Sequence, residues 1–283
     1  MPGVLVCKEI AKMLYYTENS TLLMGALMMY LPDFRLERKL AVITGGTKGI
    51  GKAITLAFAE SGADVIVIAR NLKDLEQTKK EVEGLGRQAS IICKDINDYK
   101  DIIDEVERVR DGRELDIWVN NAGMNIRSEA ERVTEEEWDQ IISTNMRSAF
   151  FLSQYAGQVM KSSKKGKIIN ISSVGGHTAL RTGVVYAMTK SALIQMTKNL
   201  ALEWGKYNIN VNAIGPWYFP TSLTERLLQD ESYVQEILER TPLNRIGKLE
   251  ELSGAAVFLA SEAGNYMTGQ TLFVDGGMTI YGF

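Results

Sequence analysis

The 283-residue chain holds one histidine, His177, and two cysteines, Cys7 and Cys93. A lone imidazole with two thiols cannot assemble a His/Cys metal cluster, so no metal site is expected. Two thiols cannot form a disulfide framework, and Cys93, inside an apolar run, reads as a small core residue of a strand. Such sparing use of cysteine fits a reducing cytoplasm. Charge of one sign is also missing. The 32 basic and 35 acidic residues leave a net charge of -3, which argues against nucleic acid and against an anionic membrane surface as partners. The one basic run, "KSSKKGK" at 161–167, reads as a solvated turn before a strand. No apolar run reaches the ~20 residues that a membrane-spanning helix needs. "LLMGALMMYL" at 22–31 falls short of it, and no signal-type cleavage pattern follows. Residues 1–33 read as a short amphipathic extension packing on the domain or on a partner subunit. They carry no identifiable chemistry, and Met28 and Met29 stand where a natural start would lie.

What is present is a regular alternation. Hydrophobic residues make up 45% and charged residues 24%, enough for a sizeable core in one large domain. "KLAVIT", "ADVIVIA", "ASIICK", "LDIWV", "GKIINIS", "INVNAIG" and "TLFVD" are short apolar runs, separated by helical stretches. "TEEE" at 134–137 has the form of a capping box ahead of the helix containing Trp138. Strands that are apolar throughout and alternate with helices predict a parallel sheet covered on both faces. The expected fold is α/β: one doubly wound domain over 34–283 with a seven-stranded parallel sheet, Rossmann-type.

The first run leads directly into "TGGTKGIG" at 44–51, where a helix opens. Glycines there let the backbone turn tightly and approach a pyrophosphate, whose charge the N–H groups of the helix start favour. The spacing Gly45, Gly49, Gly51 differs from the common G-x-G-x-x-G fingerprint, but its placement between first strand and first helix makes the signal strong. At the end of the second strand an NAD enzyme usually offers an acid to the ribose 2′-hydroxyl. Here that position is Ala69, followed by Arg70, and Lys48 adds a cation in the glycine turn. A surface ion pair is the bland alternative for either. Together they favour NADP over NAD.

Tyr186 and Lys190, in "GVVYAMTKS", share one helix face. A free tyrosine titrates near ~10, too high for a base at neutral pH, and a neighbouring ammonium favours the phenolate. "INISSVGG" supplies a hydroxyl at a strand's carboxyl end, where doubly wound folds bind ligands. Ser172 and Ser173 both qualify on that ground.

"TGGTKGIG", "NNAG" at 120–123, Asn145 in "ISTNM", Ser173 and Tyr186-x-x-x-Lys190, in that order, resemble the short-chain dehydrogenase/reductase family. The likeness runs from about Phe34 to the end and includes "GQTLFVDGG" at 269–277. The resemblance implies a nicotinamide-dependent oxidoreductase with a catalytic tetrad. Tyr186 would be the general acid/base and Ser173, chosen by its thirteen-residue spacing from Tyr186, would polarise the substrate oxygen. Lys190 would lower the tyrosine pKa and hold the nicotinamide ribose, and Asn145 would anchor a water for proton relay. The cofactor would follow Gly45, Thr47, Lys48, Gly49, Ile50 and Gly51, then Arg70. Asp95 and Ile96 would meet the adenine, and Asn121, Ala122 and Gly123 would line the adenosine side. Asp95 as a helix N-cap, Asn145 as a backbone partner and "NNAG" as a sheet staple are the structural alternatives.

The family usually has Pro-Gly where this chain has Pro216-Trp217. The indole would reshape the edge near nicotinamide and substrate, or serve as a lid contact. Thr221 matches a threonine that contacts the carboxamide, and about 217–242 forms the expected substrate lid. The chain looks like the branch with gluconate 5-dehydrogenases and related sugar-acid oxidoreductases. Arg127 and Arg181 would meet a substrate carboxylate, with Gly175 and Trp217 near the substrate, although both arginines also suit an ordinary surface. Alternatives are a 3-oxoacyl-carrier-protein reductase and a non-catalytic NADP-binding regulator. The family commonly assembles as homotetramers through the helices carrying Asn145 and Tyr186.

Overall fold

Each of the seven apolar runs becomes a strand: β1 Leu40–Thr44, β2 Asp64–Ala69, β3 Ala89–Cys93, β4 Ile117–Asn120, β5 Gly166–Ile171, β6 Ile209–Pro216 and β7 Thr271–Val274. The computed structural model describes residues 30–181, 183–221 and 223–281, and those from Asp33 onward form one compact unit. Cys7, Met28 and Met29, with most of the expected N-terminal extension, lie outside the described residues. All strand pairs are parallel, in the order β3-β2-β1-β4-β5-β6-β7.

The helices follow in chain order: α1 Gly49–Glu60, α2 Leu72–Gly84, α3 Tyr99–Arg110, α4 Glu135–Ile142, α5 Ser148–Ser163, α6 Val184–Trp204, α7 Glu225–Leu228, α8 Glu231–Glu239 and α9 Leu249–Ala260. The period of two along a strand sends alternate residues to opposite faces. Ala41 and Ile43 pack with Ile54 and Phe58 of α1, Leu75 of α2 and Leu252 of α9. Leu40 and Val42 pack with Ile102 of α3, Leu152 and Met160 of α5 and Trp204 of α6. All five β1 residues are buried, so the strand needs apolar side chains on both faces. Each fully buried Ile or Val contributes about 1.5–3 kcal/mol.

Helix starts follow local chemistry. Asn71 Oδ1 accepts the Asp74 N–H at 3.0 Å to cap α2, and Asp230 Oδ1 caps α8 by accepting from Ser232 and Tyr233. Thr134 Oγ1 accepts the Glu137 N–H at 3.2 Å, which is the N-cap half of the expected box. The chain adds β2 and β3 on one side of β1 and then crosses to place β4 on the other. That reversal opens a crevice at the carboxyl ends of β1 and β4.

Three expectations change. Cys93 is exposed instead of buried, because it ends the outermost strand at the sheet's carboxyl edge, with its thiol against the Arg70 carbonyl at 3.5 Å. The other outer strand, β7, is only half-buried for the same reason, so its residues are not covered on both faces. The basic run turns the chain as expected, with Lys164 left-handed at φ 53°, but its later lysines are not simply solvated. Lys165 pairs with Glu114 at 2.5 Å, and Lys167 donates to Asn210 and Asn265 at 2.8 Å each. Among the described residues no helix is long and apolar enough to cross a membrane.

Candidate active site

The crevice is closed at its base by one hydroxyl. Thr44, the last residue of β1, accepts N–H groups from Asn121 at 2.9 Å and Ala122 at 3.0 Å, and donates to the Val119 carbonyl at 3.2 Å. Asn121 Nδ2 returns to the carbonyls of Thr44 and Gly45 at 2.9 and 3.1 Å. Asn120 turns inward, donating to Ser153 Oγ at 2.7 Å and Asn170 Oδ1 at 2.8 Å. The side chains of both asparagines therefore staple the sheet, which leaves the backbone of Ala122 and Gly123 as the surface a ligand would meet.

Above Thr44 the glycine turn has the shape of a pyrophosphate cradle. Gly45 and Gly49 have φ of 64° and 51°, a region costly for other residues. A Cβ on Gly51 would strike the Gly45 carbonyl, and one on Gly49 would lie 3.0 Å from Thr221 Cγ2. Lys48, the N-cap of α1, provides no side-chain cap, so the first N–H groups of the helix remain free for an anion. These observations fit a dinucleotide. Thr47 is half-buried in the turn, and Ile50 packs its side chain on the core behind it.

Lys48 and Arg70 converge at the carboxyl edge of β1 and β2, where each faces an acid. Lys48 Nζ lies 2.8 Å from Asp74, and Arg70 lies 3.7 Å from Asp95. Asp95 also accepts from the backbone and side chain of Asn97 at 2.9 Å each, which turns the chain toward α3. Ile96 is 9% exposed and packs its side chain in the core.

The acid–base groups gather on the other side of the crevice. Ser172 Oγ donates to the Lys190 carbonyl at 2.8 Å and so ties β5 to α6. Ser173 Oγ instead accepts the Gly175 N–H at 3.1 Å and hydrogen-bonds Tyr186, which separates the roles of the two serines. Gly175 itself is buried, with Leu180 where a Cβ would point. Asn145 sits in a π-helical turn, Ser143–Arg147, between α4 and α5. Its Nδ2 donates to the Met124 carbonyl at 2.8 Å and to Thr189 Oγ1 at 3.2 Å, while Oδ1 accepts the Met124 N–H at 2.8 Å. Both amide hydrogens are committed, so a water there would have to donate to Oδ1.

Lys190 departs from expectation. Its ammonium donates to the Ile171 carbonyl at 2.8 Å and lies 5.5 Å from the Tyr186 ring centroid. Burial without a carboxylate partner pushes its pKa down to about 8. The Tyr186 phenol is pushed up by burial, against the hydrogen bond from Ser173 and the charge of Arg127. In this arrangement Ser173 and Arg127, and not Lys190, favour the phenolate, because the ammonium is directed at a backbone oxygen. A Cβ on Gly123 would lie 3.5 Å from Lys190 Nζ and 3.3 Å from Asn145 Oδ1, so Gly123 leaves open the space between cradle and acid–base groups.

The substrate-side residues divide. Arg127 has no ion-pair partner among the described residues and acts on both Tyr186 and Tyr218. Arg181 pairs with Glu236 of α8 and covers the Tyr233 ring at 5.2 Å, so its guanidinium is spent on the segment over the crevice. Pro216 ends β6 opposite Val274, and Trp217 sends its Nε1–H to Thr241 at 3.1 Å. The indole thus packs against the return of that segment and the Tyr218 ring, 4.5 Å away. Thr221 shares hydrogen bonds with Thr224 and covers Gly49. Sequence reading missed Thr44, Thr189, Tyr218 and Tyr233. Thr44 stood in the glycine motif without a role, and nothing local marked the others.

The family model described as enoyl-(acyl carrier protein) reductase matches residues 45–279. A tropinone reductase homologue of Arabidopsis thaliana is 41% identical over 251 residues, 88% of this chain and 95% of that one. Gluconate 5-dehydrogenase of Gluconobacter oxydans is 39% identical over 252 residues, 88% of this chain and 98% of its own length. Among solved structures, a gluconate 5-dehydrogenase from Burkholderia cenocepacia, in complex with NADP and tartrate, superimposes with a TM-score of 0.84 at 34% identity. It covers 88% of this chain and 98% of that one.

Proposed function

This chain belongs to the short-chain dehydrogenase/reductase family, NAD(P)-dependent oxidoreductases acting on CH–OH groups, and from that premise we propose that it moves hydride between NADP(H) and a sugar acid such as gluconate/5-ketogluconate. One observation carries the reading. The Ser173–Tyr186 hydroxyl pair faces the crevice beside a dinucleotide cradle, under the charge of an Arg127 that has no ion-pair partner among the described residues.

A nicotinamide dinucleotide held by its pyrophosphate in the cradle would supply or accept the hydride. Tyr186 gives a proton to the carbonyl oxygen during reduction and takes it back during oxidation. Ser173, its oxygen held by the Gly175 N–H and its hydrogen directed at the Tyr186 phenol, turns that hydrogen to the substrate oxygen when the substrate sits between the two hydroxyls. Lys190 holds the ribose side, and with a pKa of about 8 it gains and loses its charge near neutrality. Asn145 keeps the 124 segment and α6 in register through Met124 and Thr189. Arg127 takes the substrate carboxylate as a fork-shaped donor. Lys48 and Arg70 favour NADP by meeting the 2′-phosphate, each exchanging its present carboxylate partner. Residues 217–242, including α7 and α8, act as the lid, the enzyme works in the cytoplasm, and it assembles as a homotetramer through α5 and α6.

The test is turnover of aldonic acids, aldoses and plain secondary alcohols with NADP⁺ and with NAD⁺, read by nicotinamide absorbance, beside Tyr186→Phe. Oxidation of a sugar acid with NADP⁺ preferred, and a loss of about 10²–10⁴-fold in the variant with cofactor binding retained, is the expected result. Silence toward every sugar acid removes the substrate reading, and equal use of NAD⁺ removes the cofactor preference.

A further inference from the structure

Tyr218 follows β6 at the crevice, and Tyr233 sits in the first turn of α8. Their hydroxyls meet at 2.6 Å, with the rings edge to face at 6.0 Å between centroids. Both side chains are half-buried, and this contact joins the sheet end to the helix above it. On one side, the charge of Arg127 acts on both the Tyr218 and the Tyr186 phenols, so the phenol pair and the catalytic phenol share one guanidinium. On the other side, Arg181 covers the Tyr233 ring at 5.2 Å and is anchored by Glu236.

Donor accounting shows what the pair offers. Two phenols carry two protons, and one is used between them. Arg127 can only donate, so it leaves the remaining proton unspent. Neither hydroxyl has a further hydrogen bond to a side chain or backbone group among the described residues. A polar pair enclosed this way, with a free donor and free lone pairs, rejects an apolar group, because apolar contact would leave those groups unpaired. A substrate held at Tyr186 by its reacting carbon would extend past Arg127 toward these hydroxyls.

We propose that Tyr218 and Tyr233 are specificity-determining residues, receiving the hydroxyl-bearing chain of a polyhydroxy acid beyond the carbon that is oxidised or reduced. The proposal rests on the sugar-acid reading and narrows it. Tyr218 stands two residues beyond the end of β6 and Tyr233 in α8, so a substrate bridging the two also ties α8 to the end of that strand. Arg181 and Glu236 set the Tyr233 ring and touch no substrate.

Tyr218→Phe and Tyr233→Phe keep the rings and remove the hydroxyls. With saturating NADPH, each is expected to raise KM for 5-ketogluconate about tenfold, with kcat within threefold, because the lost contacts are remote from the reacting carbon. Cyclohexanone, which has no polar chain, is expected to keep its kcat/KM within twofold. Unchanged kinetics on the keto acid, or equal losses on both ketones, overturns the phenol assignment and leaves the sugar-acid reading standing. Failure of the unmutated enzyme to turn over 5-ketogluconate overturns both.

Discussion

The two sides of the crevice are held by different means. On the floor, Thr44, Asn121, Ser172, Asn145 and Lys190 are bound to backbone carbonyls and amides of neighbouring strands and turns. On the lid side, α8 is held by the Tyr218–Tyr233 contact and the Arg181–Glu236 pair, which are side-chain contacts between exposed or half-buried groups. Backbone partners cannot be removed by substitution, whereas each lid contact depends on two side chains that can vary. Under the proposed function, the chemistry that any substrate of the class requires sits on the first kind of support, and discrimination between substrates on the second.

That contrast can be tested at its strongest point with Gly51→Ala. The added methyl meets the Gly45 carbonyl and the Asn121 amide, both fixed by the sheet. Crowding of this kind costs about 1–3 kcal/mol, and NADPH affinity measured by nicotinamide fluorescence should fall with the Tm. An unchanged affinity would mean that the cradle is softer than its hydrogen bonds imply.

Lys190→Met tests the floor through pH. The folded-state pKa is lowered from 10.5 to about 8, so folding disfavours the ammonium by about 3 kcal/mol at neutral pH. This penalty is complete below pH 8 and is relieved as pH rises toward 10.5. Native stability therefore rises across that window relative to the variant. Urea unfolding of both proteins at pH 7 and pH 10 should show the variant's advantage shrinking, while its activity is lost at either pH. A constant difference would place the lysine's stress elsewhere.

The smallest effect is expected on the lid. Glu236→Gln removes an ion pair whose side chains are 65% and 49% exposed, and such pairs contribute about 0–1 kcal/mol. The Tm should move little and KM should rise about twofold. A large loss of kcat would put the lid among the elements that support the chemistry, which breaks the division drawn above.

The sheet and cradle were legible because their signals are local. An apolar run of about five residues forms a strand wherever it lies in a parallel sheet, and glycine reports a turn through its own φ. Position within the sheet is not local. "ASIICK" gives no sign that it forms an outer strand, so Cys93 emerges where a buried thiol was expected. The Tyr–Lys spacing announced a shared helix face, yet the direction of the ammonium depends on the Ile171 carbonyl of another element. The π-helical turn at Asn145 has no composition of its own. Tyr218 and Tyr233 stand fifteen positions apart with α7 between them, and only the fold brings their hydroxyls together.

The Thr44 hydroxyl has a kinetic consequence. Two amides point in and one proton points out, so the bonds across the strand gap are complete within the chain itself. The mouth between β1 and β4 is therefore shaped during folding, and its ordering entropy is already spent before a dinucleotide arrives. Arrival of the cofactor needs no rearrangement on this side of the crevice.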